Sequence, residues 1–116
     1  MPHRGLGHLV NATRNSLSGL LTAWKGEQAF RHEGIVLVIL AAVLAYTGKT
    51  PAEWLLVLGG WLFVMVVELL NSAIEKTCDL VTTEFRPLIK AAKDMASSAI
   101  FLAILINAGL WLHVFV

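Results

Sequence analysis

The chain begins with a stretch in which apolar and polar residues alternate in a regular pattern, and it continues with three longer, mainly apolar runs. Between Leu6 and Trp24 the apolar residues recur at helical spacing and fall within a narrow arc at about 100° per residue, whereas Arg14 and Lys25 lie off it. This pattern, with a tryptophan near one end, is typical of a helix in the membrane interface. We predict an amphipathic surface helix over about residues 6–27. The alternative is a helix packed on its own bundle.

The three longer runs are each apolar enough to cross the roughly 30 Å hydrocarbon core of a membrane as a helix. A turn at Gly48 separates the first two runs, and Pro51 is well placed in the first turn of the helix that follows. A polar and basic segment separates the second run from the third. The predicted spans cover about residues 30–47, 53–79 and 94–115.

Composition supports this assignment. The 116 residues suffice for a single domain over 1–116, and they are 57% hydrophobic but only 15% charged, against roughly 25% charged in soluble domains. Disorder, a collagen-like fibre and a soluble two-domain enzyme are therefore excluded. The net charge of +1 gives no electrostatic support for a nucleic-acid partner, and one cysteine permits neither an intrachain disulfide nor a cysteine metal cluster. We predict an all-α integral membrane protein.

The lysines and arginines predict its orientation. Those before the first span are Arg4, Arg14, Lys25 and Arg31, and those between the second and third spans are Lys76, Arg86, Lys90 and Lys93. Only Lys49, between the first and second spans, would lie on the opposite side of the membrane. Because positive loops remain in the cytoplasm, we expect a cytoplasmic amino terminus and an external carboxyl terminus.

Glu68 is the most informative residue, because it interrupts the apolar second span. A carboxylate at this depth is costly and by default marks a functional site. Asn71, Ser72, Glu75 and Asp79 lie within about 60° of it around the same helix, and Glu75 is about 10 Å further along the axis. The alternative is a structural polar seam between subunits.

Other charged pairs are less informative by themselves. Glu27 and Glu33 flank the start of the first span and, alone, indicate a solvated helix end with local ion pairs. Asp94 alone is equally explained as a charge favoured by the dipole at a helix start. The Gly-Lys-Thr sequence ending at Thr50 is not a phosphate-binding loop, because Val43 stands where that motif needs glycine.

Three segments together resemble the integral-membrane diacylglycerol kinases of bacteria, which are related to undecaprenol kinases. They are residues 27–34, residues 68–75 with the pattern Glu-x-x-Asn-Ser-Ala-Ile-Glu, and residues 91–97 with Ala-Ala-Lys-Asp. The resemblance implies a homotrimeric bundle of three-span subunits in the inner membrane. It also implies composite active sites near the cytoplasmic face that transfer the γ-phosphoryl of MgATP to diacylglycerol, giving phosphatidic acid.

The resemblance also implies residue roles. Glu68 matches the general base, Glu27 and Glu75 match magnesium ligands, and Asn71 supports the same stripe. The residues expected to bind ATP are Glu27, Glu75, Glu84, Phe85, Arg86, Lys93 and Asp94. The residues expected to line the lipid site, with Glu68 itself, are Arg31, Glu33 and Ser97. His8 and Asn15 fall where family members can place nucleotide contacts, but no role is transferred to them.

Two alternatives stay open at this point. Residues 83–88 are similar to undecaprenol kinases, whereas residues 24–33 look more like the diacylglycerol enzymes, which we favour. A different class is a non-enzymatic oligomeric membrane protein or small transporter subunit that uses Glu68, and it predicts no dependence on ATP.

Overall fold

A computed structural model describes residues 5–116, and within that range every regular element is an α-helix. The four helices are α1 (Leu6–Gly26), α2 (Gln28–Thr47), α3 (Pro51–Val81) and α4 (Pro87–Phe115). The last three are long and apolar enough to span a membrane. The predicted all-α fold with three long apolar helices is therefore confirmed. Arg4, used above for orientation, lies outside the described residues.

A sharp corner joins α1 to α2 at Glu27, whose extended backbone (φ −118°, ψ 108°) interrupts the helical path. Arg31 Nη1 closes this corner by donating to the carbonyl oxygens of Trp24 at 2.8 Å and Lys25 at 3.0 Å. These carbonyls at the end of α1 lack intrahelical partners, so the guanidinium acts as their cap. The Trp24 ring packs on Gly34, where a Cβ atom would lie 2.7 Å from Cζ3.

At the opposite end, local chemistry ends α2 and starts α3. Gly48 adopts the left-handed conformation (φ 65°) that commonly terminates a helix. Thr50 and Glu53 then form a reciprocal capping box, with N–H to side-chain oxygen distances of 3.2 and 2.9 Å. Lys49 Nζ donates to the Val114 carbonyl at 3.0 Å, which ties this turn to the last turn of α4.

Helix α4 begins at Pro87, seven residues before the start of the predicted third span. Proline suits the first turn of a helix because its fixed φ is helical and its missing N–H would have no partner there. Arg86 before it is extended (φ −138°). Much of the polar segment between the spans is therefore the first two turns of α4, and hydropathy cannot register that.

Two groups of buried apolar residues hold the helices together. The turn cluster consists of Leu40, Leu44, Val57 and Val114, and the corner cluster of Ala23, Phe30 and Met65. Trp61 packs against both clusters. Between α3 and α4, the buried Asn107 donates to the Gly60 carbonyl at 2.8 Å. Most other large apolar side chains on α2, α3 and α4 are exposed, as expected for surfaces that meet lipid or other subunits.

Candidate functional site

Glu68 lies on α3 with only 8% of its surface exposed. Three further carboxyl groups, those of Glu27, Glu33 and Glu75, lie close enough to interact electrostatically with it. They come from the corner, from α2 and from α3 itself. Three acidic side chains from two separate segments of the sequence therefore lie near one buried carboxyl group.

The polar stripe predicted along α3 runs from buried to exposed positions. Asn71 and Ser72 are buried, while Glu75 and Asp79 are exposed in the single chain. Asn71 Nδ2 donates to Glu75 Oε1 at 3.3 Å, and Asn71 Oδ1 is buried without a hydrogen-bond partner among residues 5–116. Asn71 thus connects the buried and exposed ends of the stripe.

Glu27 lines an open groove of about 500 Å³ between α1 and α3. Its Oε2 atom lies 3.4 Å from Lys76 Nζ, and its side chain is 22% exposed. Hydrogen bonding from the Ser72 side chain, and secondarily the Lys76 ammonium, holds the pKa of Glu27 below its ordinary value despite partial burial. Glu27 is therefore an ionised carboxylate at neutral pH. The rest of the groove wall is mainly apolar, including Leu20 and Leu69.

A second hollow of about 350 Å³ lies where the α3–α4 loop meets α4. It gathers five of the predicted ATP-binding residues: Glu84, Phe85, Arg86, Lys93 and Asp94. Their charges are paired locally, with Lys93 Nζ 2.8 Å from Asp79 Oδ1 and Lys90 Nζ 2.6 Å from Asp94 Oδ2. Glu27 lines the other groove, and Glu75 lines neither, so these two cavities of the described residues divide the predicted nucleotide residues.

The predicted lipid-site residues are also divided. Glu33 interacts electrostatically with Glu68, and its Oε1 atom is buried without a partner among the described residues. Arg31 instead directs its guanidinium to the end of α1, where it caps two carbonyls. Ser97 is exposed on α4. Within one chain, only Glu33 of these three is brought to Glu68.

No group of three or more His, Cys, Asp or Glu side chains in residues 5–116 is arranged as a ready-made metal site. Two carboxylates, Glu27 and Glu75, nevertheless both lie close enough to Glu68 to interact with it electrostatically, and they offer the hard oxygen ligands that Mg²⁺ prefers. Mg²⁺ commonly uses one or two carboxylates together with substrate phosphates. The donor set therefore fits a metal that arrives with a nucleotide.

Comparison with known proteins identifies the family. The family profile described as prokaryotic diacylglycerol kinase matches residues 14–115, nearly the whole chain. This chain belongs to the prokaryotic diacylglycerol kinase family.

Relatives named diacylglycerol kinase support the same assignment. The protein from Haemophilus influenzae is 43% identical over 107 residues, which cover 92% of this chain and 91% of the relative. The proteins from Helicobacter pylori strain J99 and Escherichia coli K12 are 40% and 34% identical, and the matches cover 84% and 88% of those relatives. The family resemblance found in the sequence is confirmed.

Sequence reasoning missed three polar side chains of this family member. Asn107 could have been identified by the same reasoning as Glu68, because it is also a polar residue that interrupts an apolar run. Lys76 was counted only for orientation, since its pairing with Glu27 depends on the α1–α2 corner. Trp61 gave no signal in sequence, yet its Nε1 donates to the Glu33 carbonyl oxygen at 2.7 Å.

Proposed function

We propose that this chain is a magnesium-dependent lipid kinase that transfers the γ-phosphoryl of ATP to the hydroxyl of diacylglycerol, giving phosphatidic acid and ADP. Family membership supports the reaction class. The observation that carries the chemistry is the burial of Glu68, in an apolar helix, with Glu27, Glu33 and Glu75 around it. A carboxylate kept in such surroundings by default marks a functional site.

Glu68 is the proposed general base. It removes the proton from the lipid hydroxyl as that oxygen bonds to the γ-phosphorus, while the bond from the γ-phosphorus to the β–γ bridging oxygen breaks and ADP leaves. The hydroxyl of diacylglycerol lies near the headgroup boundary of a membrane. Glu75, at the exposed end of the polar stripe, is about 10 Å further along α3, so Glu68 lies about two turns deeper, where it would meet a membrane-embedded substrate.

Glu27 and Glu75 would hold Mg²⁺, which neutralises charge on the ATP phosphates when bound. The low pKa of Glu27 keeps its carboxylate ready to bind a cation. Lys93, on the hollow at the start of α4, is suited to contact phosphate once it leaves Asp79. Phosphoryl transfer depends mainly on positioning and charge stabilisation, which these side chains can supply without a phosphate-binding loop.

We further propose a homotrimer in the bacterial inner membrane, with the active sites near the cytoplasmic face. Glu75, Asp94 and Ser97 are exposed in the single chain. Glu27 lines one cavity, whereas the predicted ATP-binding residues of the α3–α4 loop and α4 line another. A neighbouring subunit that covers these surfaces would complete each site and shelter its polar groups from lipid. The amino terminus would lie in the cytoplasm and the carboxyl terminus outside, as the cation distribution indicates.

The deciding experiment compares phosphate transfer from labelled ATP to diacylglycerol and to undecaprenol in parallel, with protein reconstituted in lipid bilayers. We expect magnesium-dependent transfer with a clear preference for diacylglycerol. A preference for undecaprenol would identify the alternative kinase. Transfer to neither lipid by folded protein would support the non-enzymatic class and contradict the proposal.

A further inference from the structure

One cross-helix hydrogen bond links the helix of Glu68 to the backbone of Glu33. Trp61 Nε1 on α3 donates to the Glu33 carbonyl oxygen on α2 at 2.7 Å. In a regular helix this carbonyl also accepts from the amide four residues later, that of Leu37. A carbonyl oxygen has two lone pairs, so the indole adds a second donor without breaking α2.

The Trp61 ring is itself held in place. It packs against the Trp111 ring of α4, with centroids 5.7 Å apart and planes inclined by 35°. It also contacts both the corner cluster and the turn cluster. The indole N–H is thus aimed at α2 by contacts on its other sides, and forming the hydrogen bond costs little further side-chain freedom.

The indole N–H groups of Trp61 and Trp111 differ in their hydrogen bonding. Trp111 Nε1 is buried, but it has no hydrogen-bond partner among residues 5–116. Trp61 Nε1, in the same stacked pair, has the Glu33 carbonyl. The pair therefore contains one N–H that connects helices and one that does not, in closely similar apolar surroundings.

The hydrogen bond bears on where the Glu33 carboxyl group lies. Its buried Oε1 atom has no partner among the described residues, so no side-chain contact from that atom fixes it, and its position follows the backbone of α2. Trp61 is seven residues, or two helical turns, from Glu68 on α3. One helix thus carries both Glu68 and the indole that donates to the backbone of α2 at Glu33.

We propose that Trp61 is a positioning residue for lipid binding, which holds Glu33 at a fixed separation from Glu68 so that both carboxyl groups face one lipid hydroxyl. The inference rests on the proposed lipid kinase function and adds a determinant of lipid affinity that acts through the backbone of α2. Nucleotide binding, which uses other residues, should not depend on it.

The test compares Trp61→Phe with Trp111→Phe, because each removes one indole N–H and keeps an aromatic ring. Equilibrium binding of labelled dioctanoylglycerol to the nucleotide-free protein is measured alongside KM for lipid, KM for ATP and kcat. Interhelical hydrogen bonds in membrane proteins typically correspond to a three- to tenfold change in an equilibrium constant. We expect Trp61→Phe to weaken lipid binding and raise the lipid KM by roughly that factor, with KM for ATP unchanged. Trp111→Phe should leave all four quantities near wild type.

A double-mutant cycle separates positioning from a general loss of packing. If Trp61 acts through Glu33, Trp61→Phe should have little further effect on lipid binding in a Glu33→Gln background. Full additivity, or equal effects of the two tryptophan variants, would overturn the inference. Wild-type protein that binds lipid but transfers no phosphate would refute the proposed function, while the binding comparison would still decide the role of Trp61. Failure of wild type to bind the lipid would refute both.

Discussion

At the scale of single residues, Glu68 is the side chain whose position is hardest to explain without chemistry. It is buried in an apolar helix among other acidic groups. We predict that Glu68→Gln lowers turnover by about 10²–10⁴-fold, the usual contribution of general-base catalysis. Folding should survive, because replacing a buried carboxylate by an amide removes a desolvation cost. Turnover per folded oligomer is the measurement, and near-normal turnover would remove Glu68 from the reaction.

A second residue-scale prediction concerns the two proposed magnesium ligands. Glu27→Gln and Glu75→Gln should each raise the magnesium concentration needed for half-maximal activity, because an amide is a weaker ligand for a hard cation than a carboxylate. Titration of activity with Mg²⁺ at saturating ATP measures this. Unchanged magnesium dependence in both variants would show that neither carboxylate holds the metal.

Residues whose importance is visible in the local sequence could be predicted, whereas contacts that depend on how the helices pack could not. Glu68 could be found because the cost of a carboxylate in an apolar run is a local property of the chain. Its surroundings could not, because the approach of Glu33 and the Glu27–Lys76 pair depends on how the helices meet. Arg31 shows the same limit, since its capping contacts exist only after the corner forms.

At the scale of helices, α3 and α4 approach closely at Gly60, whose carbonyl oxygen accepts a hydrogen bond from Asn107. A Cβ atom at Gly60 would lie 3.0 Å from Asn107 Oδ1, so glycine permits this approach. We predict that Asn107→Ala lowers the free energy of unfolding by about 1 kcal/mol, as for other interhelical hydrogen bonds in membranes. Unfolding of the micellar protein by denaturing detergent measures it. Asn11→Ala, at an exposed position on α1, is the matched control and should change little; equal losses would contradict the assignment.

The packing of Trp24 on Gly34 gives a second prediction at this scale. Gly34→Ala would place a methyl group 2.7 Å from Trp24 Cζ3, so the ring must move and α1 should separate more readily from α2. We expect faster amide hydrogen exchange in the last turns of α1. Gly7→Ala is the control, because nothing lies within 4 Å of the added atom. Alanine favours helix, so this variant should slow amide hydrogen exchange in α1. Unchanged exchange in Gly34→Ala would show that Trp24 does not hold α1.

The helices themselves were largely predictable, and their ends less so. Long apolar runs predicted α2, α3 and α4 because membrane crossing requires continuous hydrophobicity. The early start of α4 at Pro87 was not predicted, because the polar first turns of that helix do not contribute to a hydropathy signal. The structure has a helix over Leu6–Gly26, while its location on a membrane surface stays a prediction.

At the scale of the whole molecule, one chain by itself buries neither its apolar helices nor all the polar groups of its candidate site. Only 17–28% of each apolar window is buried within it, and Glu75 and Asp94 remain exposed. We predict a homotrimer, which mass measurement in detergent and cross-linking in membranes should both show. The number three comes from the resemblance, whereas the need for neighbours follows from the exposed polar groups. A monomeric mass, or cross-linking that stops at dimers, would contradict it.

The position of Glu27 at the corner closed by Arg31 also determines how far a tilt of α1 would move this residue. The helix is about 30 Å long, and Glu27 lies at the pivot point beside its end, where the Arg31 guanidinium binds the carbonyl oxygens of Trp24 and Lys25. A tilt of roughly 10° would displace the far end by about 5 Å, yet would move a residue beside the pivot point by less than about 1 Å. The distal half of α1 can therefore follow undulations of its surroundings while Glu27 stays almost still.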